Sequence, residues 1–254
     1  MAGHSRRFKA AGYSTPKPFI MIDGQPMIQS VCQMFSPMDE FIFVCHREHL
    51  DHPEYRDILE NSTRNYHIIP VDPHEYGPIY SALQAEPLIT NKQDEPVIIS
   101  YCDFTMQWDY RQFVCKAAQY EGAMAVFRGF HPASFGDTYY AYLRSTNDLE
   151  MLELREKRSF TDKRHDEFAS TGVYYLDSWE TFAQYANELI SKKETVSSEY
   201  YCSLLYNPMV RDGKRITLFE VDKFICWGTP EDLEEYFFWS EYFSRDVPNL
   251  LKRV

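Results

Sequence analysis

Chemistry in this chain gathers near its start. MAGHSRRF places Gly3, Ser5, Arg6 and Arg7 in sequence, and Lys17 follows Pro16. A glycine-containing turn exposes successive backbone N–H groups, which together form a concavity for an anion. Arg7 and Lys17 would then set positive charge along a triphosphate. The same residues also make an ordinary basic surface loop, and composition does not choose between the two. His4, within the loop, could touch a phosphate or be solvated. A second chemical feature lies further on, where the apolar run over 97–101 ends in Cys102 and Asp103. It reads as a central parallel strand with an acid at its carboxyl end. An acid so placed can take a hard cation or cap the next turn. Asp109 has the same chemistry and ranks below it.

The elements that must position these groups alternate. Residues 1–18 have no clean period and read as a long loop. Residues 19–28 read as a short strand, a turn at Asp23 and Gly24, and a helix start with Met27, Ile28, Val31 and Met34 on one face. Strands are expected at 41–45, 66–69 and 123–127. Helices are expected after Gly77, through Leu83 and Leu88, and at 110–120. Such alternation argues for βαβ units and a largely parallel sheet. Beyond it, 138–143 and 150–156 alternate like antiparallel strands. A short strand is expected at 172–176, helices at 179–190 and 199–210, and a strand at 216–221. A final helix begins with Thr229 as N-cap, Pro230 at the first position, and Glu231 and Asp232 facing its positive end. No internal repeat, low-complexity tract or linker interrupts the chain. One domain is expected, with an embedded subdomain around 128–215.

Composition narrows the partners. With 26 Lys and Arg against 38 Asp and Glu, the net charge is -12. Such a surface repels nucleic acid and anionic lipid, leaving room for a local phosphate pocket. The six cysteines, Cys32, Cys45, Cys102, Cys115, Cys202 and Cys226, form no CxxC pair. They read as buried reduced thiols. There is no signal peptide and no apolar stretch of ~20 residues, which fits a cytoplasmic enzyme. Self-association into a homo-oligomer is left open.

Taken in order, several blocks resemble the sugar-phosphate nucleotidyltransferase family. MAGHSRRF with PKP resembles its signature loop, and FIMIDGQPMI the continuation of that loop. SYCDFTMQWD resembles its strand-end aspartate segment and REK its Glu-Lys pair. STGVYYL and EYYCSLLYNPMVRDGKRITLFEVDKF with GTPEDL resemble its C-terminal half. The neighbourhood is that of small nucleotidyltransferases of capsule and surface-polysaccharide biosynthesis. The resemblance implies a Rossmann-like GT-A α/β fold, a mainly parallel mixed sheet flanked by helices with a small antiparallel insertion. Its site would lie at the carboxyl ends of the strands. It implies a nucleotide-binding half over about 1–127 and an acceptor-binding half over about 128–254. The partners would be a nucleoside triphosphate, by family habit a pyrimidine one, and a phosphorylated small molecule.

The residue roles follow from the same resemblance. Arg7 would handle the leaving phosphates, and Lys17 would bridge the α-phosphate and the incoming phosphate. Ala2, Gly3, His4, Ser5 and Arg6 would line the nucleotide, and Gly77 would approach its base. Asp103 would hold Mg²⁺, a cation that takes a carboxylate together with phosphate oxygens. Glu156 and Lys157 would meet the acceptor, with Gly172 close by and Glu199 lining the pocket from a helix start. Each has a plainer alternative: REKR is also a charged strand end, and Gly77 an ordinary helix-start glycine. Tyr76 and Tyr80 are read as core packing.

Two departures stand out. Ser5 replaces the family's second glycine. Cys226 replaces an aspartate that serves many members as a second metal ligand, and cysteine is a poor Mg²⁺ ligand. One carboxylate would then suffice, or Asp222 or Glu220 would supply the second. Rival readings are a cytidylyltransferase for phosphocholine or phosphoglutamine, an inert nucleotide- or sugar-sensing module, and a glycosyltransferase on the same fold. The last lacks its DxD motif, since Phe104 and Thr105 follow Asp103. In the family an apolar strand leads into the glycine loop, whereas here Ala2 and Gly3 already belong to the loop. The expectation is a chain that begins about eight residues upstream, or another segment filling the gap between the neighbouring strands.

Overall fold

The computed structural model describes residues 1, 3 and 5–250, the side chains of 245–250 excepted. Near the start, β1 (Met21–Ile22) and β2 (Gln25–Pro26) pair antiparallel. Asp23 and Gly24 join them, both in the left-handed region at φ 48 and 87, as a tight right-twisted hairpin requires. The helix that follows, Met27–Cys32, buries Met27, Ile28, Val31 and Cys32. The apolar spacing in the sequence anticipated that face. Residues 1–18 are more ordered than a loop: a short helix covers Arg6–Ala10 and a 3-10 turn covers Lys17–Phe19. Phe8, Pro18 and Phe19 are buried within them, and these apolar residues anchor the segment where its polar composition alone suggests none.

A βαβ unit comes next. Strand β3 (Phe41–His46) and β4 (Tyr66–Val71) run parallel, with the helix Pro53–Glu60 between them. Strand β5 (Val97–Ser100) leads to Asp103 and then to β6 (Phe104–Gln107). Helix Tyr110–Ala117 connects to β7 (Gly122–Phe127). Strands β8 (Ala141–Ser145) and β9 (Met151–Glu156) pair antiparallel, the expected insertion. Strand β10 (Phe168–Leu176) is longer than expected and buried at every residue, as is β7. Helix Trp179–Lys192 follows, then β11 (Ile216–Glu220), β12 (Lys223–Cys226) and the long helix Pro230–Leu250.

The class is α/β with a mixed sheet. Its main order is β11-β7-β10-β8-β9, and β5 also pairs β10. Parallel pairing is confined to β3 with β4 and β7 with β11. Strand β10 runs antiparallel to β5, β7 and β8. The parallel share is therefore smaller than strand–helix alternation implied, because β10 returns through the middle of the sheet. Its register shifts between Ser170 and Tyr174, around Gly172. One apolar cluster includes Phe113, Ala125, Val173 and Phe224, and another Met124, Leu176, Phe182 and Leu218. Alternate residues of β7 thus feed the two cores.

Two expectations fail locally. The helix expected over 199–210 breaks into a 3-10 turn, Cys202–Leu205, and the helix Tyr206–Arg211. Glu199 precedes both, after Ser197 and Ser198 at φ 51 and 67, and so begins no helix. The helix expected after Gly77 likewise splits into Pro78–Leu83 and Glu86–Ile89. The end of the chain behaves as anticipated. Asp232 N–H donates to Thr229 Oγ1 at 3.1 Å, and that hydroxyl donates to Asp232 Oδ2 at 2.9 Å, a reciprocal cap.

Strand β3 pairs β4 and β5 pairs β10, but β3 and β5 do not pair with each other. Every residue of β5 is only partly buried. Met1 packs against the same apolar cluster as Cys45 in β3 and Cys102 just past β5. Among the described residues no helix is long and apolar enough to cross a membrane. The thiols are all free, and Cys115 alone among them is exposed.

Candidate active site

Lys17 opens the 3-10 turn behind Pro16, whose extended backbone delivers it past Phe8. Its Nζ lies 5.8 Å from the Phe8 ring and 2.7 Å from Asp103 Oδ2. The two side chains are 21% and 22% exposed. Burial opposes the charge on Lys17. The Asp103 carboxylate and its hydrogen bond outweigh that cost, with smaller help from Cys102 and Cys226, and raise the lysine pKa. The strand-end acid and the loop lysine, 86 residues apart in sequence, thus form one ion pair.

Beside this pair runs the turn after β12. Trp227 N–H donates to the Asp103 carbonyl at 2.8 Å. A Cβ on Gly228 would lie 3.1 Å from Cys226 Sγ, 3.4 Å from Asp103 Oδ2 and 4.0 Å from Asp232 Oδ2. Cys226 thus lies beside both the Asp103 and the Asp232 carboxylates. Burial, then the Asp103 and Asp232 carboxylates, push its thiol up to about 12. A neutral thiol is no ligand for a hard cation.

The substitutes suggested for Cys226 are elsewhere. Glu220 is paired to Arg128 through two hydrogen bonds at 2.9 and 3.2 Å. Asp222 N–H donates to Gln107 O at the far end of β6, about 13 Å along the strand from Asp103. Neither supplies a second carboxylate. Asp232 is another acid beside Cys226, and its Oδ2 already accepts hydrogen bonds from Thr229, Thr138 and the Cys226 thiol. Asp109 caps the helix Tyr110–Ala117, accepting from Gln112 N–H at 2.9 Å. Among the described residues no three His, Cys, Asp or Glu gather as a metal cage. A single strand-end carboxylate is the donor set Mg²⁺ uses when substrate phosphates complete its shell.

The glycine loop is partly seen. Ala2 and His4 lie outside the described residues. Gly3 is exposed with open space around it. Ser5 sits at φ 50 and ψ 37, ahead of the short helix. That left-handed conformation costs a non-glycine residue ~1–2 kcal/mol, so the serine keeps the backbone shape that a glycine would take freely. Arg6 is ion-paired with Glu75. Arg7 is exposed, and its charge reaches Tyr201.

A second group of residues forms at the end of β9 and the middle of β10. Glu156 accepts a hydrogen bond from Ser203 Oγ. Burial raises its pKa, against the opposing pull of Ser203 and Lys157. Lys157 has φ 55 and donates its backbone N–H to Tyr140 O at 2.9 Å. Its ammonium contacts the Tyr201 hydroxyl. Gly172, at φ 99, lets Tyr101 pack where a Cβ would stand 3.0 Å from the ring. Tyr101 lies two residues before Asp103, so Gly172 joins the acceptor side to the acid.

Gly77 links the halves in another way. At φ 89 its missing Cβ would fall 2.7 Å from Tyr200 N and 3.0 Å from Glu199 Cβ. Tyr200 N–H donates to Tyr76 O at 2.8 Å, and Ile79 N–H to Tyr200 O at 3.1 Å. Close packing on Glu199 and Tyr200 is thus what requires the glycine. Tyr76 and Tyr80 are not core residues: they are 54% and 37% exposed, with ring centres 4.8 Å apart. Sequence reasoning missed Tyr201, Ser203 and Asp232 as members of this region. In a chain with 19 tyrosines nothing marks Tyr201 out.

Residues 1–167 match the MobA-like NTP transferase domain. No curated protein matches. Among solved structures, a nucleoside-diphosphate-sugar pyrophosphorylase from Vibrio cholerae RC9 is similar with a TM-score of 0.75 at 19% identity, over 93% of this chain and 97% of that one. The inositol-1-phosphate CTP transferase from T. maritima gives 0.65 at 17%, over 91% and 88%. A UTP-bound UGPase from Acinetobacter baumannii gives 0.66 at 15%, over 98% and 96%. At such identities the structures speak for the fold. The domain match spans more than half of the chain, and the chain belongs to the MobA-like NTP transferase family and is a nucleotidyltransferase.

Proposed function

We propose that this protein joins the nucleotidyl group of a pyrimidine nucleoside triphosphate to a sugar 1-phosphate and releases pyrophosphate. The observation that carries the reading is the Lys17–Asp103 pair at the sheet's carboxyl end, one short turn from the Gly172 and Tyr101 contact. A phosphate oxygen of the acceptor attacks the α-phosphorus, a P–O bond forms in line, and the α–β bridging bond breaks. Such a reaction asks the protein for position and charge rather than covalent help. Lys17 neutralises oxygens shared by the α-phosphate and the incoming phosphate. Arg7, with Gly3 and Ser5 supplying backbone, draws charge from the leaving β- and γ-phosphates. Asp103 is the residue that would hold Mg²⁺, which when bound would neutralise phosphate charge. Glu156 accepts acceptor hydroxyls and Lys157 takes its phosphate.

On this reading residues 1–127 bind the nucleotide and residues 128–254 the acceptor within one domain. The product would be an activated precursor for surface polysaccharide, made in the cytoplasm. The solved inositol-1-phosphate CTP transferase and the UTP-bound UGPase support a pyrimidine nucleotide by the substrates their descriptions name. A pyrophosphate-release screen tests the reading. ATP, CTP, GTP and UTP are each paired with hexose and heptose 1-phosphates, inositol 1-phosphate and phosphocholine. Release is expected from a pyrimidine triphosphate with a sugar 1-phosphate. Release with phosphocholine alone would replace the acceptor class.

A further inference from the structure

Tyr201 connects groups that the reaction needs from both sides of the site. The Lys157 ammonium bonds to its hydroxyl and lies 4.3 Å from the centre of its ring. The Glu199 carboxylate acts on the same hydroxyl electrostatically. A phenol donates one hydrogen and accepts others. The ammonium, which has only hydrogens to give, therefore donates to the phenol oxygen. Burial first, then the Glu199 carboxylate, hold the Tyr201 pKa far above its usual value. It stays an O–H donor at neutral pH.

The phenol's own place is set from the nucleotide side. Glu199 and Tyr200 pack against Gly77, and Tyr200 exchanges backbone hydrogen bonds with Tyr76 and Ile79. A lysine side chain carries ~2 kcal/mol of rotamer entropy. An ammonium already held by a hydroxyl and a ring leaves less of that entropy to lose when a phosphate arrives.

We infer that Tyr201 is a positioning residue for acceptor binding: its hydroxyl and ring hold the Lys157 ammonium where the acceptor phosphate docks. The inference rests on the assignment of Lys157 to the acceptor, and it adds to that assignment a device that ties acceptor binding to the Gly77 loop.

Lysine ¹⁵N spectra of the free protein test the contact without substrate. The Lys157 ammonium should give a slowly exchanging Hζ–Nζ signal that Lys157→Met removes and Tyr201→Phe reduces to that of a solvated lysine. A Lys157 ammonium signal indistinguishable between wild type and Tyr201→Phe overturns the inference. Kinetics with UTP and glucose 1-phosphate form the second arm. Tyr201→Phe keeps the ring and should raise the glucose 1-phosphate KM about tenfold. It should lower kcat less than that and leave the UTP KM within about twofold. In a Lys157→Met background it should add nothing. Additive effects, or a shift in the UTP KM instead, contradict the inference. If Lys157→Met itself leaves the glucose 1-phosphate KM at the wild-type value, the acceptor assignment falls and the inference with it. If Lys157→Met raises that KM and Tyr201→Phe does not, only the Tyr201 inference falls. Should glucose 1-phosphate fail to bind, the spectra decide alone.

Discussion

Lys17 Nζ and Asp103 Oδ2 stand 2.7 Å apart in the substrate-free protein, both mostly screened from water. Each is the other's counter-ion. On the proposed reading, neither can meet a phosphate or a cation without loosening that bond, so triphosphate and metal should gain most by arriving together. Mn²⁺ affinity measured by electron paramagnetic resonance should be weak alone and rise with a triphosphate present. Lys17→Met should raise the affinity measured without nucleotide. Equal Mn²⁺ affinity in all three cases would show that the pair does not gate the metal.

Asp103→Asn is nearly isosteric and removes the charge expected to hold the cation. Loss of ~3–4 kcal/mol of transition-state stabilisation means roughly a hundred- to thousand-fold slower turnover, with circular dichroism unchanged. Lys17→Ala should lower kcat more than it weakens triphosphate binding, while Arg7→Ala should weaken both. Calorimetric titration of the triphosphate beside steady-state rates separates them. Wild-type binding in Arg7→Ala together with wild-type turnover in Lys17→Ala would take the phosphate role from both residues.

Glu156 makes a prediction of opposite sign for stability and function. Its folded pKa is raised, burial being the main cause. A carboxyl with a raised pKa favours the fold while protonated, and that favour is lost as pH climbs through the folded pKa. At neutral pH the buried charge therefore works against folding. Glu156→Gln should lift Tm by a few degrees near pH 7, with the gain shrinking toward pH 4. The same change should raise the acceptor KM. A Tm that falls at neutral pH would mean that Ser203 and Lys157 already more than compensate the buried charge.

Gly77→Ala should be far more harmful than Gly213→Ala. Both glycines have positive φ, at 89 and 80, but only Gly77 faces backbone at 2.7 Å while Gly213 faces open space. The strained φ alone costs ~1 kcal/mol at either site, and the clash adds ~1–3 kcal/mol at Gly77. Urea unfolding of the two variants gives the comparison directly. Similar midpoints would show that the loop yields easily and does not brace Tyr200.

The edges of β3 and β5 give a prediction about the sheet. Neither strand pairs with the other, and β5 is only half buried. Each is therefore an edge strand, with no strand among the described residues along its other side. Fusing a short apolar, β-branched segment ahead of Met1 should raise Tm and slow amide exchange in Val97–Ser100. Unchanged exchange there would show that the two edges are satisfied as they stand.

Much of this organisation was legible in the sequence because it is local. The helix face of Met27, Ile28 and Val31, the Thr229 cap and the strand that ends before Asp103 each follow from spacing or capping over a few residues. The antiparallel course of β10 was not legible, because a buried strand looks alike in either direction. Nor was the loss of the helix at Glu199, where left-handed Ser197 and Ser198 override favourable propensity. The Lys17–Asp103 pair needed the family resemblance before the structure brought the two together. Tyr201 needed coordinates, since only its neighbours distinguish it from the other tyrosines.

Transfer of label from an α-³²P pyrimidine triphosphate tests the central claim most directly. With Mg²⁺ and a sugar 1-phosphate present, the label should move into a phosphatase-resistant nucleotide sugar while unlabelled pyrophosphate accumulates in equal amount, and Asp103→Asn should slow both roughly a hundred- to thousand-fold. Label that stays in the triphosphate across the acceptor panel, in a protein that binds the triphosphate normally, would contradict nucleotidyl transfer as the function of this site.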